Sequence, residues 1–217
     1  MPLPMVHLAI AVQMCELNDK RLTPSFLLGS IAPDAIHMRP NIGRSHKDQT
    51  HLLESSDVDY AERMQALLAQ HGATDSEASD LAKGYAAHLL ADRIWVQTVI
   101  IPLRARIPSG LSPQEKRTLY YQDADQVDLD LYHQAPWRPY VWAQLAMSQP
   151  IDFHLLTAQE IGQWRDRTLK WYEQQKPGPR ETVFITYADT QVFISQAAQV
   201  IAAYFAVWRT AIGKNPG

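Results

Sequence analysis

Apolar side chains recur at three- and four-residue intervals along almost the whole chain, the spacing that places them on one face of an α-helix. Leu3, Val6, His7, Ile10, Ala11 and Met14 form one such stripe, and Tyr60, Met64, Leu67 and Leu68 form another. Val192, Gln196, Val200, Ala203, Tyr204, Val207 and Ala211 form a third. The strict alternation of a half-buried strand is nearly absent. Start and stop signals divide the pattern. Ser76-Glu77, after the turn-like His71-Gly72-Ala73-Thr74, opens a helix predicted to reach about residue 104, with Pro102 kinking or ending it. Ser112-Pro113-Gln114-Glu115 pairs an N-cap with proline at the first helical position and predicts a helix to about residue 133. A short helix follows over 141–147, and Thr157-Ala158-Gln159-Glu160 reads as a capping box for one that ends before Pro177. Residues 176–180 form a loop, 183–186 an extended connector without a partner strand, and 189–214 the last helix. The expected architecture is all-α: a single-domain multi-helix bundle of about seven to nine helices over residues 1–217.

Composition narrows the function classes. With 217 residues, 46% of them hydrophobic, the chain can build a core unaided. Its one cysteine, Cys15, excludes a disulfide framework and an all-cysteine zinc site, and reads as an inert buried thiol on the first helix. A net charge of -3 lacks the basic excess of a nucleic-acid binder, so no nucleic-acid partner is expected. No transmembrane segment is expected either, because His88, Asp92 and Arg93 interrupt the best apolar window. The apolar N-terminal stretch has no preceding Lys or Arg and no small-x-small cleavage site, which predicts a cytoplasmic protein. Nucleophile-elbow, P-loop and dinucleotide motifs are missing, which argues against serine-hydrolase, nucleotide and redox chemistry.

The candidate chemistry lies in the histidines, six of the eight preceding residue 93. His88 and Asp92 stand four apart on a predicted helix of small and apolar residues, so both project from one face and can grip one cation. Burying them there is costly unless they are paired, by a metal or by each other. Asp34 follows Pro33 at the end of an apolar run and is either a ligand or a helix N-cap. His46 and His51 lie in one segment, and His7 sits on the apolar face of the first helix.

Four pieces in this order are similar to the zinc-dependent phospholipase C family: His7; Leu28-Gly29-Ser30-Ile31-Ala32-Pro33-Asp34; Thr50-His51; and Gly84-Tyr85-Ala86-Ala87-His88-Leu89-Leu90-Ala91-Asp92-Arg93-Ile94-Trp95. The likeness covers about the first 95 residues and is closer to short cytoplasmic bacterial members than to secreted phospholipases. It implies an all-α fold and a first zinc site of Asp34, His51, His88 and Asp92. His7 then resembles the histidine of a second site that shares Asp92 as a bridge, and His46 competes with His51 for its place. Secreted members use an N-terminal tryptophan and a later His-x-x-x-Glu helix; neither occurs in this chain, so one or two zinc ions are expected rather than three.

Imidazole and carboxylate ligands suit zinc, and equally Fe, Mn or Ni. A site of this kind usually keeps a position for water, which the ion makes a nucleophile near neutral pH. The expected function is therefore hydrolysis of a small-molecule phosphoester, with Asp34 as general base. The alternative is a non-catalytic protein whose ion is structural. Asp123, Asp128 and His133 could add a ligand or an outer partner, or belong to a solvated helix face. His37 could face the same site, His71 suits a helix C-terminus, and Trp137, Tyr140 and Trp142 either touch a hydrophobic substrate or pack in the core.

Overall fold

The computed structural model describes residues 1–53, 57–71, 76–175 and 180–212. Among them the chain forms ten α-helices and no strand: α1 (Pro4–Leu17), α2 (Pro24–Gly29), α3 (Arg44–Thr50), α4 (Asp57–His71), α5 (Glu77–Trp95), α6 (Ile101–Arg106), α7 (Pro113–Gln134), α8 (Arg138–Met147), α9 (Ala158–Gln174) and α10 (Tyr187–Ile212). A 3₁₀ turn, Ala32–Met38, follows α2. The helical class stands, while the count rises above seven to nine because short helices such as α2, α3 and α6 carry too few periods to register. The long helix expected over 76–104 is α5, a wide π-type turn (Val96–Ile100) and α6 in succession. The predicted turn at 72–74 and most of the predicted loop at 176–180 lie outside the described residues.

The caps form where the sequence places them. Ser112 and Glu115 make a reciprocal capping box at α7, and Thr157 and Glu160 make one at α9. Glu160 is also held by Arg39, at 2.7 and 3.1 Å, which ties the 3₁₀ turn to α9. Helices α1 and α5 are buried around most of their circumference and run through the middle of the core, α1 against α10 and α7, α5 against α2 and α4.

Two of the acidic residues of α7 serve the fold. Asp128, fully buried, accepts the backbone N–H groups of Met5 and Val6 and the hydroxyl of Tyr172. Helix α1 has no side-chain cap of its own, so a carboxylate more than 120 residues away satisfies its first turn. Asp123 accepts from Val183, Phe184 and Ile185 at 2.6–3.1 Å through one oxygen, which is what holds the extended connector in the absence of a strand partner. Neither joins a ligand cluster, and His133 is exposed. Trp142 packs on Tyr132 and Tyr172 as a core residue, whereas Tyr140 is exposed.

Burial raises the Asp128 carboxyl to about 7, against the partial offset of the Tyr172 hydroxyl and the two N–H groups. A carboxyl raised on folding stabilises below its unfolded value near 3.8 and loses that contribution as pH rises toward 7. The stability of Asp128→Asn minus that of the parent is therefore expected to grow between pH 4 and 7 by on the order of 3 kcal/mol and to level off above. Urea denaturation across that range checks it; a pH-independent difference contradicts it.

Helix α10 reverses one expectation. Val192, Val200 and Val207 of the predicted stripe are 56%, 56% and 71% exposed, while Phe193, Ile194, Ala197, Ala198 and Ile201 face the core. Both faces are apolar, and periodicity alone does not choose between them. For the same reason, Tyr187–Trp208 is long and apolar enough to cross a membrane by length and composition alone, a test that a core helix also passes; a third of its most apolar window is buried against the rest of the protein.

Candidate metal centre

Helix α5 organises the site. Ser76 caps its N-terminus, and Tyr85, His88 and Asp92 follow one another along one face. The Tyr85 hydroxyl donates to Thr50 O at 2.6 Å, which holds the end of α3 and so delivers His51, the next residue. Against the opposite side of that face lies α2, brought into backbone contact by two glycines. A Cβ on Gly84 would lie 2.2 Å from Phe26 O and 2.8 Å from Ser30 N, and one on Gly29 would lie 2.2 Å from Leu81 O. Only this approach places Ser30 O 2.9 Å from His88 Nδ1.

That contact fixes a tautomer. A carbonyl only accepts, so Nδ1 of His88 carries the hydrogen and Nε2 presents a lone pair inward. His51 is held alike, its Nδ1 3.0 Å from Lys47 O, leaving Nε2 to the site. An imidazole whose outer nitrogen donates to a carbonyl is the arrangement usual for metal-ligating histidine. The chain turns after α2 into the 3₁₀ turn that carries Asp34 as its third residue; Asp34 is not its N-cap, which is Ile31.

Four elements thus converge. His7 Nε2 lies 3.5 Å from Asp92 Oδ1, His88 Nε2 3.7 Å and His51 Nε2 3.8 Å from Asp92 Oδ2, and His51 Nε2 3.4 Å from Asp34 Oδ1. The His7 and His88 rings stack at 3.8 Å. These separations exceed ordinary hydrogen bonds. At 3.4–3.8 Å they are slightly longer than the ~3.3 Å edge between two donors that each lie 2.0–2.1 Å from one tetrahedral ion, so a small inward movement would close them on one. His7 Nδ1 and Nε2, His51 Nε2, His88 Nε2 and both Asp92 oxygens are buried without a hydrogen-bond partner. Leaving each such atom unpaired costs about 1–3 kcal/mol, so the donor set fits a cation and fits poorly with nothing between its members.

Two overlapping triads have mutually close donor atoms, His7–His88–Asp92 and Asp34–His51–His88. His88 belongs to both, and Asp92 lies close to His51 and His88 as well as to His7. His46 is not among them. Its Nδ1 accepts from Gly43 N at 3.0 Å at the start of α3, away from the cluster. His71 packs against Phe153, and Cys15, only partly buried, has its thiol pushed up to about 11 by burial.

Protonation suits ligation. Burial, reinforced by neighbouring His7, lowers His88 to about 3, so it is a neutral imidazole at neutral pH. Burial alone would raise Asp92, but His88 and His7 hold it below the usual carboxylate range. Asp34 is held lower still against its burial by His51 and Lys47.

Lys47 was not among the site residues expected from the sequence. Its Nζ sits 3.0 Å from Asp34 Oδ1 and 3.4 Å from His37 Nε2, and its carbonyl orients His51. The signal available was its place four residues before His51, on the same helical face. His37 also approaches Asp34, at 3.8 Å. The site opens on this side: the Asp34 and Lys47 side chains are 15% and 29% exposed, whereas the other donors are nearly sealed.

No family model, curated protein or solved structure matches this chain. Among the described residues, the buried His and Asp groups form a cluster that could hold a metal ion.

Proposed function

We propose that this chain is a metal-dependent hydrolase acting on a phosphoester. The observation that carries the reading is the convergence of five unpartnered, buried atoms, Nε2 of His7, His51 and His88 and both oxygens of Asp92, beside one accessible carboxylate. His51, His88, Asp92, Asp34 and His7 would hold one or two zinc ions. Zinc bound there would lower the pKa of a water to about 7 and offset charge on a phosphoryl oxygen. The rest falls to the chain's own groups. Ser30 O and Lys47 O keep the two imidazoles in the tautomer that points Nε2 inward. Asp34, ionised, has Oδ1 turned to His51 and Lys47, and its Oδ2, which accepts no hydrogen bond among the described residues, takes the nucleophile's proton. Residues of α1 and α5 exclude bulk water from the inner side. The resemblance to zinc-dependent phospholipases C favours a phosphoester over other hydrolysable bonds.

A second reading has its own support. The cluster joins α1, the 3₁₀ turn, α3 and α5, and apart from Asp34 its donors are nearly sealed, as in a structural site. One experiment separates the two: a melt of zinc-loaded protein with and without chelator, alongside chromogenic phosphomonoesters and phosphodiesters with added zinc or manganese. At a thousandfold excess over Kd the ion contributes about 4.1 kcal/mol, so chelation is expected to lower Tm by roughly 8–16 °C for a chain of this size. Zinc-dependent turnover supports the hydrolase; a melting shift without turnover of any ester supports the structural role; neither response refutes both.

A further inference from the structure

Beside the donors that would hold an ion, two further side chains approach Asp34: His37 and Lys47. Lys47 cannot ligate a cation. Its ammonium nonetheless occupies the open edge of the site, 3.0 Å from an oxygen of Asp34. A positive charge there opposes a second cation on the same carboxylate. Lys47 therefore weakens metal binding, and its placement is explained by a different ligand, one of negative charge.

We propose that Lys47 is the anion-recognising residue of this site, contacting the charged oxygens of a phosphoryl group held at the cluster; the assignment rests on the metal-centre reading above. Three observations support it besides the contact itself. The carbonyl of Lys47 itself orients His51, so the helix, and not a loop, places the base of the lysine stem beside the cluster. Its side chain is 29% exposed at the open edge of the site, within reach of a ligand arriving from solvent. The rim beyond it is cationic as well. The guanidinium of Arg167, on α9, lies 5.5 Å from the Trp164 ring centroid. The Trp164 ring is in turn 6.0 Å from His37. An ammonium that leaves the carboxylate for phosphoryl oxygens exchanges one charge-assisted hydrogen bond for another.

The prediction has opposite signs for two ligands, which a merely structural lysine would not produce. Zinc affinity is measured by competition with a chelator, and inorganic phosphate binding by calorimetry on the zinc-loaded protein, for the parent, Lys47→Met and Lys47→Arg. Lys47→Met is expected to bind zinc as tightly as the parent or more tightly, and phosphate about tenfold or more weakly. Lys47→Arg, which keeps the charge, is expected to keep phosphate affinity within about threefold. Parallel melts verify that each variant is folded, and the partial exposure of Lys47 leaves room for both side chains. Should Lys47→Met lose zinc and phosphate together, Lys47 supports the cluster and the assignment is overturned. Unchanged phosphate affinity in Lys47→Met overturns it while leaving the metal centre intact. A parent that binds no zinc removes the metal-centre reading itself, and the assignment with it.

Discussion

Asp92→Asn is expected to abolish stoichiometric zinc binding while leaving the helical fold in place. Asp92 is the carboxylate that three imidazoles face, at 3.5, 3.7 and 3.8 Å, and neither of its oxygens has another partner. Asparagine has the same shape, so packing on the buried face of α5 is retained, but one donor oxygen becomes an amide that repels a cation. Losing only an outer partner of a ligand costs 10–100-fold in affinity, so losing this shared ligand is expected to cost at least about a hundredfold. Plasma mass spectrometry of purified protein reads the metal content directly, and His88→Ala is expected to behave alike. His46→Ala is expected to retain the full complement, because that imidazole is engaged with Gly43 N. Stoichiometric zinc in Asp92→Asn would refute the site as drawn.

Gly84→Ala is expected to destabilise the protein by about 3 kcal/mol or more, lowering Tm by roughly 6–12 °C. Helix propensity argues the other way, since alanine is better than glycine by about 1 kcal/mol in a helix interior. Packing overrides it. The new Cβ would sit 2.2 Å from Phe26 O and 2.8 Å from Ser30 N, and both are backbone atoms that move only if α2 moves. Moving α2 also withdraws Ser30 O from His88 Nδ1, so zinc affinity should fall with stability. A rise in Tm would mean that α2 and α5 are not in backbone contact.

These two residues mark how far sequence reading goes. The pair His88 and Asp92 is legible because both lie within one helical turn, where spacing translates directly into a shared face. The Gly84 that opens the same motif is equally visible as a letter, but its role is a clearance against another helix, and no local pattern encodes that. Asp123 and Asp128 show the same divide. Their clustering suggested ligands or a solvated face, yet they bind backbone N–H groups at 183–185 and at the start of α1. Partners so far along the chain leave no periodic trace. Helix α10 carries two apolar stripes of similar strength, and which of them meets the core was decided by α1 packing against it.

The sequence by itself determined the helical class, the capped starts of α5, α7 and α9, and the His88–Asp92 pair, because hydrogen-bond caps and the 3.6-residue period act over a few neighbouring residues. Tertiary structure alone decided that His7, Asp34 and His51 meet that pair, that His46 does not, and that Lys47 guards the open edge. Those meetings depend on backbone approach between segments distant in sequence, at Gly29 and Gly84, at Tyr85 and Thr50, at Asp128 and α1, and are fixed only when the helices pack.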